Sequence, residues 1–417
     1  MENSSVWGQL VSTQISTINL DFDYQKNFGK MTIPELKSRV KISSLHFMMK
    51  RIEDGNKPSV SITDYSTNGT WVNGKRIEKG KETVIQCFDE ITLLDKTKYS
   101  EAVTFVYHDK MIINNINSQC DLLKKYKIGT FLGKGQYGVV REVIENETQI
   151  HYAIKIIEKQ HSVSSKNKAK SEEENKKMEE TILRECSTME KVNHENAVRF
   201  KEMFNIKDYI FIIMELIEGV SLTSIIKNKE LTEEQRLDLI KQLINLVNHL
   251  HSLNVVHRDL KPDNIMVVEG NKLKLVDFGF GKELDETNKT ATLIGTPFYS
   301  PPELLTIIPT AYDGKKVDIW SAGVIIFELL VGYLPYRNKV KDMNQLKEVI
   351  EKEMYKSDEC FMTLNKDVQN LIEGMMEKNA DYRYSAEVCV ELIEKMELKR
   401  TCPEDIEVPD AKRNIDE

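Results

Sequence analysis

The sequence predicts a multidomain protein in which an all-β sandwich precedes a larger α+β domain. The chain has 417 residues, more than one ordinary domain contains, and 40% of them are hydrophobic, which is enough for two cores. Residues 6–112 contain clear alternation of apolar and polar positions in two segments and no helix-period pattern of useful length, whereas the pattern after Thr232 is mainly helical. We therefore divide the chain into an N-terminal tail (1–5), the β domain (6–112), a linker (113–125), the α+β domain (126–398) and an acidic tail (399–417).

Composition and charge exclude several classes of function. The formal net charge is -8 and no long basic block occurs, so direct binding of nucleic acid is not expected. The 6 cysteines contain no Cys-x-x-Cys pair, which argues for reduced thiols and against a disulfide framework or a zinc site. The N-terminus lacks the apolar segment of a signal peptide, and the most apolar stretch, Ile319–Leu334, is interrupted by polar residues and glycines. We expect a soluble protein without a membrane partner, in which this stretch forms a buried helix.

Local patterns predict the main elements within the two domains. In SVSITDY, alternate apolar residues share one face of a strand, and Asn73-Gly74 in TWVNGKRI supplies a two-residue hairpin turn. Residues 160–178 are rich in Lys, Glu and Ser, which indicates a solvated insertion that runs into a helix. Thr232 and Gln235 form the capping box of a long helix.

A glycine-rich segment follows a strand-like KIGTFL and precedes another predicted strand. Its pattern is Gly133-x-Gly135-x-x-Gly138-x-Val140. Glycines at this spacing let backbone amides approach the phosphates of a nucleotide without a clash from Cβ. The pattern alone also suits a turn-rich hairpin or a dinucleotide-binding loop, but a dinucleotide loop would run into a helix, and here strands continue. Further along, Lys155 is either a solvent-facing charge or a ligand of the α- and β-phosphates.

A second ordered set of residues fits the chemistry of phosphoryl transfer. His257-Arg258-Asp259-Leu260-Lys261-Pro262-Asp263-Asn264 is followed by Asp277-Phe278-Gly279. The reaction needs a carboxylate that accepts the hydroxyl proton, oxygen ligands for Mg²⁺ and a cation on the transferred phosphate. Asp259 fills the first role and Lys261 the third, while Asn264 and Asp277 are the metal ligands.

These motifs, in this order, resemble the eukaryotic protein kinase family from about Tyr126 to Leu398. Gly295-Thr296-Pro297, Pro301-Pro302-Glu303 and Asp318-x-Trp320-Ser321-x-Gly323 extend the resemblance. It implies a bilobal α+β protein kinase fold with ATP and Mg²⁺ as cofactors. Because every catalytic position is present, the resemblance implies an active enzyme.

The resemblance also assigns further roles to single residues. Lys155 and Glu185 match the ion pair of the active state, and the backbone of Glu215 and Ile217 matches the adenine contacts. In the C-terminal part, Glu303 and Arg383 match the pair that braces the activation segment, and Asp318 matches the residue that holds the catalytic loop by its backbone.

Substrate class and control follow from residues beside the catalytic Asp259. Lys261 matches the serine/threonine kinases within the family. Arg258 implies control by a phosphorylated activation loop, because a basic pocket beside the base needs a counter-charge. Thr287, Thr290 and Thr292 are available, and the resemblance implies that Thr292 is the activating threonine, with Thr290 as an alternative.

Motifs of the β domain resemble the forkhead-associated (FHA) domain, a β-sandwich that binds phosphothreonine peptides. They are Phe28-Gly29-Lys30, Ser43-Ser44-Leu45-His46-Phe47 and Asp64-Tyr65-Ser66-Thr67-Asn68-Gly69-Thr70-Trp71-Val72-Asn73-Gly74. The alternative is a sandwich in which these Ser, Asn and Gly residues only make turns. The resemblance implies that Ser43 and Ser44 take the phosphate and that Thr67 and Asn68 take the peptide. The family's phosphate-binding arginine is replaced by Lys30, so either Lys30 or Arg39 supplies the cation.

An FHA domain followed by a calmodulin-kinase-like catalytic domain resembles the checkpoint kinase 2 family. That resemblance implies a kinase of DNA-damage and cell-cycle checkpoint signalling that is recruited through phosphothreonine and acts on Ser or Thr of proteins. Expected partners are protein substrates, phosphothreonine proteins and, transiently, a second copy of the chain. The expected location is the nucleus, with the cytoplasm as a second location. Two alternatives stay open: a kinase of the same architecture in meiosis or stress signalling, and a phosphopeptide-binding adaptor.

Overall fold

A computed structural model describes residues 6–22, 24–52, 59–135, 138–159, 168–229, 231–277, 282–283, 289–290, 297–305, 312–336 and 343–396. It divides into two compact units. The first unit comprises residues 1–175 and 201–216, and the second comprises residues 176–200 and 217–417. The first therefore joins the β domain to the N-terminal lobe of the α+β domain, and the second is the mainly helical C-terminal lobe.

The N-terminal part of the first unit is a sandwich of two antiparallel sheets, as predicted. One sheet has the strand order β2-β1-β10-β9-β6-β7 and the other has the order β3-β4-β5-β8. The strands are β1 (Gly8–Val11), β2 (Ile18–Leu20), β3 (Gln25–Phe28), β4 (Phe47–Ile52), β5 (Ser59–Asp64), β6 (Thr70–Val72), β7 (Lys75–Arg76), β8 (Glu82–Ile85), β9 (Glu90–Leu93) and β10 (Val103–Asp109).

Aromatic and aliphatic side chains fill the space between the two sheets. The rings of Phe28 and Phe47 stack with their centroids 5.0 Å apart. The hairpin turn at Asn73-Gly74 is present: both residues have positive φ (49° and 73°), and the flanking strands β6 and β7 pair across it. Strand β7 is the last strand of its sheet, so the turn at Asn73 lies at the edge of that sheet.

Two short helices and a five-stranded antiparallel sheet complete the first unit. The sheet order is β11-β12-β13-β15-β14. The elements are α1 (Lys110–Gln119), α2 (Leu122–Lys125), β11 (Tyr126–Lys134), β12 (Val139–Glu145), β13 (His151–Glu158), β14 (Phe200–Asn205) and β15 (Tyr209–Glu215). The segment that we expected to be a linker is therefore helical. Its first helix begins at Lys110, where the Asp109 carboxylate accepts hydrogen bonds from the amides of Met111 and Ile112.

The second unit is mainly helical in its described residues. Its first helix, α3, begins in the part of the sequence that is assigned to the first unit. Its elements are α3 (Lys168–Lys191), β16 (Gly219–Ser221), α4 (Leu222–Asn228), α5 (Glu233–Ser252), β17 (Val255–Val256), β18 (Ile265–Val268), β19 (Lys272–Leu275), β20 (Lys282–Glu283), β21 (Lys289–Thr290), β22 (Tyr312–Asp313), α6 (Gly314–Val331), α7 (Met343–Glu351), α8 (Glu359–Met362), α9 (Lys366–Met375) and α10 (Ala386–Ile393). Short 3-10 helices lie at Pro34–Leu36 in the first unit and at Pro262–Asn264, Pro297–Tyr299, Pro302–Leu304 and Met354–Ser357 in the second.

Helices α5 and α6 contribute many buried residues to the second unit. Helix α5 begins with the predicted capping box, in which Thr232 accepts a hydrogen bond from the Gln235 amide and the Gln235 side chain accepts one from the Thr232 amide. Helix α6 is the predicted buried helix. It is capped by Asp313 and ends at Gly332, whose φ of 92° suits glycine. Among the described residues, no helix has both the length and the apolar character that a membrane crossing requires.

Candidate active site

The glycine-rich segment connects the paired strands β11 and β12, and its first glycine, Gly133, is still part of β11. Gly133 lies opposite Val140, and the Gly135 amide donates a hydrogen bond to the Gly138 carbonyl at 2.8 Å. A Cβ on Gly138 would lie 2.0 Å from the carbonyl oxygen of Ile156, so no other residue fits there without a backbone shift. Residues 136 and 137 lie outside the described residues.

Lys155 occupies the middle strand of the five-stranded sheet, beside this loop. It lies opposite Val140 on one side and Ile212 on the other. Its side chain is 6% exposed, so the solvent-facing interpretation is wrong. A Cβ on Gly135 would lie 3.8 Å from the Lys155 Cε, which places the lysine against the loop. Glu215 ends the neighbouring strand, opposite Tyr152.

The catalytic loop of the second unit is held by Asp318. Its carboxylate accepts hydrogen bonds from the backbone amides of His257 (2.8 Å) and Arg258 (2.7 Å). The His251 Nε2 lies 3.1 Å from the same carboxylate. Arg258 has a φ of 68°, a left-handed conformation that these contacts stabilise. The arrangement fixes the backbone immediately before Asp259.

Asp259 is oriented by contacts with two residues that follow it. Lys261 Nζ lies 2.7 Å from its Oδ2, and Asn264 Nδ2 donates to its backbone carbonyl at 3.0 Å. Asp259 is 6% exposed. A carboxylate with this support can accept a proton, while the lysine beside it can stabilise negative charge on a phosphate. Lys261 and Asn264 follow Asp259 closely in the sequence. The 3-10 helix Pro262–Asn264 turns the backbone so that Asn264 lies close to Asp259.

Asp277 follows β19, and its backbone lies beside the catalytic loop. The Val276 amide donates to the Asn264 carbonyl at 3.0 Å, and His257 Nε2 contacts the Asp277 carbonyl. The adjoining hairpin β18–β19 pairs Ile265 with Leu275. The fold thus brings the two predicted metal ligands to one end of a single hairpin. Phe278 and Gly279 lie outside the described residues.

The other predicted kinase residues are distributed over both units. Glu185 is 4% exposed on α3, and its role as the partner of Lys155 stays a prediction, as does the adenine contact of Ile217. Thr290 pairs through its backbone with Tyr312. Thr292 lies outside the described residues.

At the end of the sandwich, hydrogen bonds join the predicted phosphopeptide loops. Ser43 Oγ accepts a hydrogen bond from the Thr67 amide at 3.1 Å. The Ser43 amide donates to His46 Nδ1, so the proton of the neutral ring is on Nε2, which lies 2.9 Å from the Gly69 carbonyl. Burial lowers the pKa of His46, which keeps the ring neutral. His46 therefore braces the loops.

The remaining predicted ligands lie on the same loops. Asn68 Nδ2 donates to the Lys41 carbonyl at 2.7 Å, and Lys30 Nζ lies 3.3 Å from the Val40 carbonyl. Arg39 instead donates from Nη1 to the Glu101 carbonyl at 2.7 Å. Ser44 and Thr67 are exposed. This arrangement presents hydroxyls and a cation at one edge, the donor set that a phosphate prefers.

Sequence reasoning missed several residues that support these two sites. Ser66 Oγ accepts from the Gly69 amide at 2.7 Å, and Asp64 Oδ1 accepts from the Thr70 hydroxyl at 2.7 Å. The short spacing of Ser66 and Gly69 is typical of a hydroxyl-capped turn and would have revealed the first contact. Glu101 and His251 had no such signal, because their partners are distant in sequence.

Two family models match the chain. The protein kinase domain matches residues 126–392, and the FHA domain matches residues 30–94. The first match covers more than half of the chain and includes every predicted catalytic residue.

Known proteins similar to the chain include three serine/threonine-protein kinases. "Probable serine/threonine-protein kinase fhkC" of Dictyostelium discoideum is 36% identical over 279 residues, which cover 66% of this chain and 45% of that protein. The ovarian-specific kinase Lok of Drosophila melanogaster is 31% identical over 315 residues (74% of this chain, 64% of Lok). The kinase cds1 of Schizosaccharomyces pombe is 29% identical over 411 residues (92% of this chain, 86% of cds1).

The matched region spans 45% and 64% of the length of fhkC and Lok. The similarity to cds1 runs through both domains. It confirms the resemblance to the checkpoint kinase 2 family. The chain belongs to the protein kinase family and carries an FHA domain ahead of its catalytic domain.

Proposed function

We propose that the protein is a serine/threonine protein kinase that transfers the γ-phosphate of ATP to Ser or Thr of protein substrates. The observation that carries this proposal is the arrangement around Asp259, whose carboxylate contacts Lys261 Nζ at 2.7 Å and whose backbone is held by Asn264. Asp259 would accept the proton of the substrate hydroxyl, and Lys261 would stabilise charge on the transferred phosphate. The name of each relative above supports the same activity.

We propose Mg²⁺ as the metal ion, held by Asn264 and Asp277. Asn264 Nδ2 donates to the Asp259 carbonyl, so the acceptor end of this amide, Oδ1, is the atom suited to a hard cation. Among the described residues, no group of three or more His, Cys, Asp or Glu could hold a metal by itself. The ATP phosphates would supply further oxygen ligands, as is usual for Mg²⁺. When bound, the ion neutralises charge on the phosphates.

The FHA domain is proposed to recruit the kinase to phosphothreonine. Ser43, Ser44 and Lys30 would bind the phosphate, and Thr67 and Asn68 would bind the peptide near it. The loop contacts of Ser43 and Asn68 support this assignment, because they hold the two loops together before any ligand binds. Arg39 is the weaker candidate for the cation, since its guanidinium binds the Glu101 carbonyl at 2.7 Å, whereas Lys30 Nζ lies 3.3 Å from the Val40 carbonyl.

The proposed pathway is DNA-damage and cell-cycle checkpoint signalling. The similarity to cds1 over 92% of this chain supports a shared architecture, and the pathway follows from the family. Location in the nucleus, with some protein in the cytoplasm, and a transient homodimer follow from the same resemblance. Kinases of meiosis or stress signalling with this architecture, and an adaptor with dispensable catalysis, are the alternatives.

An assay of the full chain with ATP, Mg²⁺ and peptides that differ only in Ser, Thr or Tyr tests the activity. Phosphate on Ser and Thr but not on Tyr is expected. Phosphate transfer that is unaffected by Asp259→Asn would refute the assigned mechanism. Phosphorylation of Thr292 in the native cell after DNA breaks, and not after other stresses, separates the checkpoint pathway from its alternatives.

A further inference from the structure

The carboxylate of Glu90, in strand β9 of the FHA domain, contacts the strand that leads into the glycine-rich loop. Glu90 Oε2 accepts a hydrogen bond from the backbone amide of Phe131 at 2.7 Å. Its Oε1 accepts one from the Thr92 hydroxyl at 3.2 Å and lies 3.1 Å from Lys96 Nζ. Glu90 is 0% exposed. Both oxygens of a fully buried carboxylate are thus satisfied, one of them by the kinase lobe.

Strand β11, which contains Phe131, needs hydrogen-bond partners from outside its sheet for the backbone groups on its outer side. It is at the end of the five-stranded order, and its pairing with β12 shifts register on both sides of Phe131. Backbone amides on the outer side of an edge strand need a partner other than a strand, because leaving them buried and unpaired costs stability. Glu90 supplies that partner two residues before Gly133.

A buried arginine forms a second connection between the same segments. Arg141, which lies opposite Phe131 in the sheet, is 0% exposed and donates from Nη2 to Asn73 Oδ1 at 2.9 Å. The same Asn73 oxygen accepts a hydrogen bond from the Glu90 amide at 2.9 Å. Burial lowers the pKa of Arg141 to about 10, while the nearby carboxylates of Asp89 and Glu90 oppose this shift. Arg141 therefore stays a cation near neutral pH and offsets the charge of Glu90.

Apolar packing joins the same two segments. Phe88 and Val106 of the sandwich belong to one buried cluster with Ile128 and Val143, which lie on β11 and β12. Moving the sandwich away from these strands would expose this apolar surface to water, which is unfavourable. The FHA domain and the first strands of the kinase lobe therefore share one core.

We propose that Glu90 is a positioning residue for ATP binding, because its carboxylate fixes the strand from which the glycine-rich loop projects. The residue lies outside the region matched by the kinase family, residues 126–392, so the kinase motifs alone do not reveal this role. The segment that it positions contains Gly133, Gly135 and Gly138 and is the part of the first unit that would bind the ATP phosphates. The inference rests on the proposed kinase activity. On this proposal, the FHA domain helps to position the nucleotide site without contacting the nucleotide.

The test compares the full chain with the variants Glu90→Ala, Glu90→Asp and Glu90→Gln. Removing the carboxylate, or shortening it by one methylene in Glu90→Asp, takes away the acceptor for the Phe131 amide. We expect the KM for ATP to rise about tenfold in both, the size of a lost hydrogen bond of this kind, with kcat nearly unchanged. Glu90→Gln keeps one acceptor oxygen and should show a smaller rise. Titration with a fluorescent ADP analogue should show the same order of affinities without any turnover.

Two control variants separate positioning from a general loss of folding. Thr92→Val removes a buried partner of Glu90 Oε1 from the same strand, and Glu78→Ala removes an exposed carboxylate that pairs with Lys81. Both should keep the wild-type KM for ATP. A purely structural role for Glu90 would lower the folded fraction, and so kcat, without changing KM. If Glu90→Ala does not fold, Glu90→Asp decides the outcome.

The proposal is wrong if the folded Glu90 variants bind nucleotide within twofold of the wild type. It is also wrong if Thr92→Val and Glu78→Ala raise the KM for ATP as much as the Glu90 variants do. A wild-type chain that transfers no phosphate would instead refute the proposed kinase function. In that case, hydrogen exchange of residues 127–135 still tests the contact: faster exchange in Glu90→Asp than in the wild type supports it, and equal exchange overturns it.

Discussion

Arg383 and Glu303 form a two-point ion pair in the C-terminal lobe. Arg383 Nη1 lies 2.8 Å from Glu303 Oε1, and Nη2 lies 3.0 Å from Oε2. Arg383 is 2% exposed, and it also donates to the carbonyls of Glu377 and Lys316 at 2.8 Å. The planar guanidinium therefore fixes the segment around Glu303 against two other parts of the lobe.

Replacing this arginine should destabilise the C-terminal lobe. Arg383→Ala removes the two-point ion pair with the Glu303 carboxylate and should lower the free energy of unfolding by about 3–5 kcal/mol. Arg383→Lys keeps the charge but loses the two-point geometry, so we expect a smaller loss. Thermal unfolding and hydrogen exchange of the lobe measure both changes. As the matched control, Lys352→Ala breaks an exposed pair with Glu348 and should change stability by less than about 1 kcal/mol. Equal losses in Arg383→Ala and Lys352→Ala would contradict this account.

The FHA domain should bind phosphothreonine peptides and discriminate against phosphoserine. Ser43→Ala should weaken binding by about tenfold or more, because it removes a hydrogen bond to a charged phosphate and the Ser43 contact with the Thr67 amide. Lys30→Arg should strengthen binding, since a guanidinium can donate two parallel hydrogen bonds to a phosphate. Fluorescence anisotropy with the full chain measures both. The control variant Ser118→Ala changes a serine in α1 and should bind the peptide as the wild type does. Equal affinity for phosphorylated and unphosphorylated peptides would show that the domain lacks this function.

Acid should destabilise the FHA domain through His108. Burial lowers the pKa of His108 to about 4, and the positive charge of Arg141 acts in the same direction. In the unfolded chain the pKa is about 6.5, so the unfolded state binds the proton first as the pH falls. Stability should therefore be full above pH 6.5 and decline by about 1.4 kcal/mol per unit below it, to a loss of about 2 kcal/mol at pH 5.

The variant His108→Gln cannot bind this proton and should lose much of the pH dependence. Opening free energies from hydrogen exchange of β9 and β10, corrected for intrinsic rates, would measure it at pH 5 and pH 7. The exposed His151, which pairs with Glu142, provides the control His151→Gln. An unchanged pH slope in His108→Gln would rule out the role of His108.

Activation should proceed through phosphorylation of Thr292 by a second copy of the kinase. The motivation is Arg258, a cation beside the catalytic base that a phosphate on the activation segment would neutralise. The FHA domain would raise the local concentration by capturing a phosphothreonine on another copy or on a scaffold. The activation rate should be second order in kinase, Thr292→Ala should block it, and forced dimerisation should bypass Ser43 and Asn68. Activation at a rate independent of kinase concentration would favour an upstream kinase, and normal activation of Thr292→Ala would favour Thr290.

The elements that the sequence predicted correctly depend on local chemistry. The capping box of Thr232 and Gln235 and the hairpin at Asn73-Gly74 are each determined within a few residues. The helix α1 was missed because its residues 113–119 are mostly polar. Its signals were the Asp109 cap and the spacing of Ile112 and Ile116, of which Ile116 is fully buried.

Contacts between distant residues were beyond sequence reasoning. The Glu90 carboxylate and the Phe131 amide are separated by 41 residues, and Arg39 and the Glu101 carbonyl by 62. In each contact, one partner is a backbone group. Because almost every residue type carries the same backbone groups, the sequence does not show which of them takes part in the contact. Motifs could indicate which residues bind phosphate, but only the tertiary structure relates the FHA domain to the glycine-rich loop.

The most direct test of the proposed function is phosphate transfer by Asp277→Ala. This variant removes a predicted metal ligand next to the catalytic loop, where the Asp277 carbonyl contacts His257. The measurement is transfer of the ATP γ-phosphate to a generic Ser/Thr peptide, with the exposed Asp381→Ala as control. We predict that Asp277→Ala loses several orders of magnitude in rate while the control keeps the wild-type rate. Near-normal turnover by folded Asp277→Ala would contradict the assignment of this site as the centre of a protein kinase.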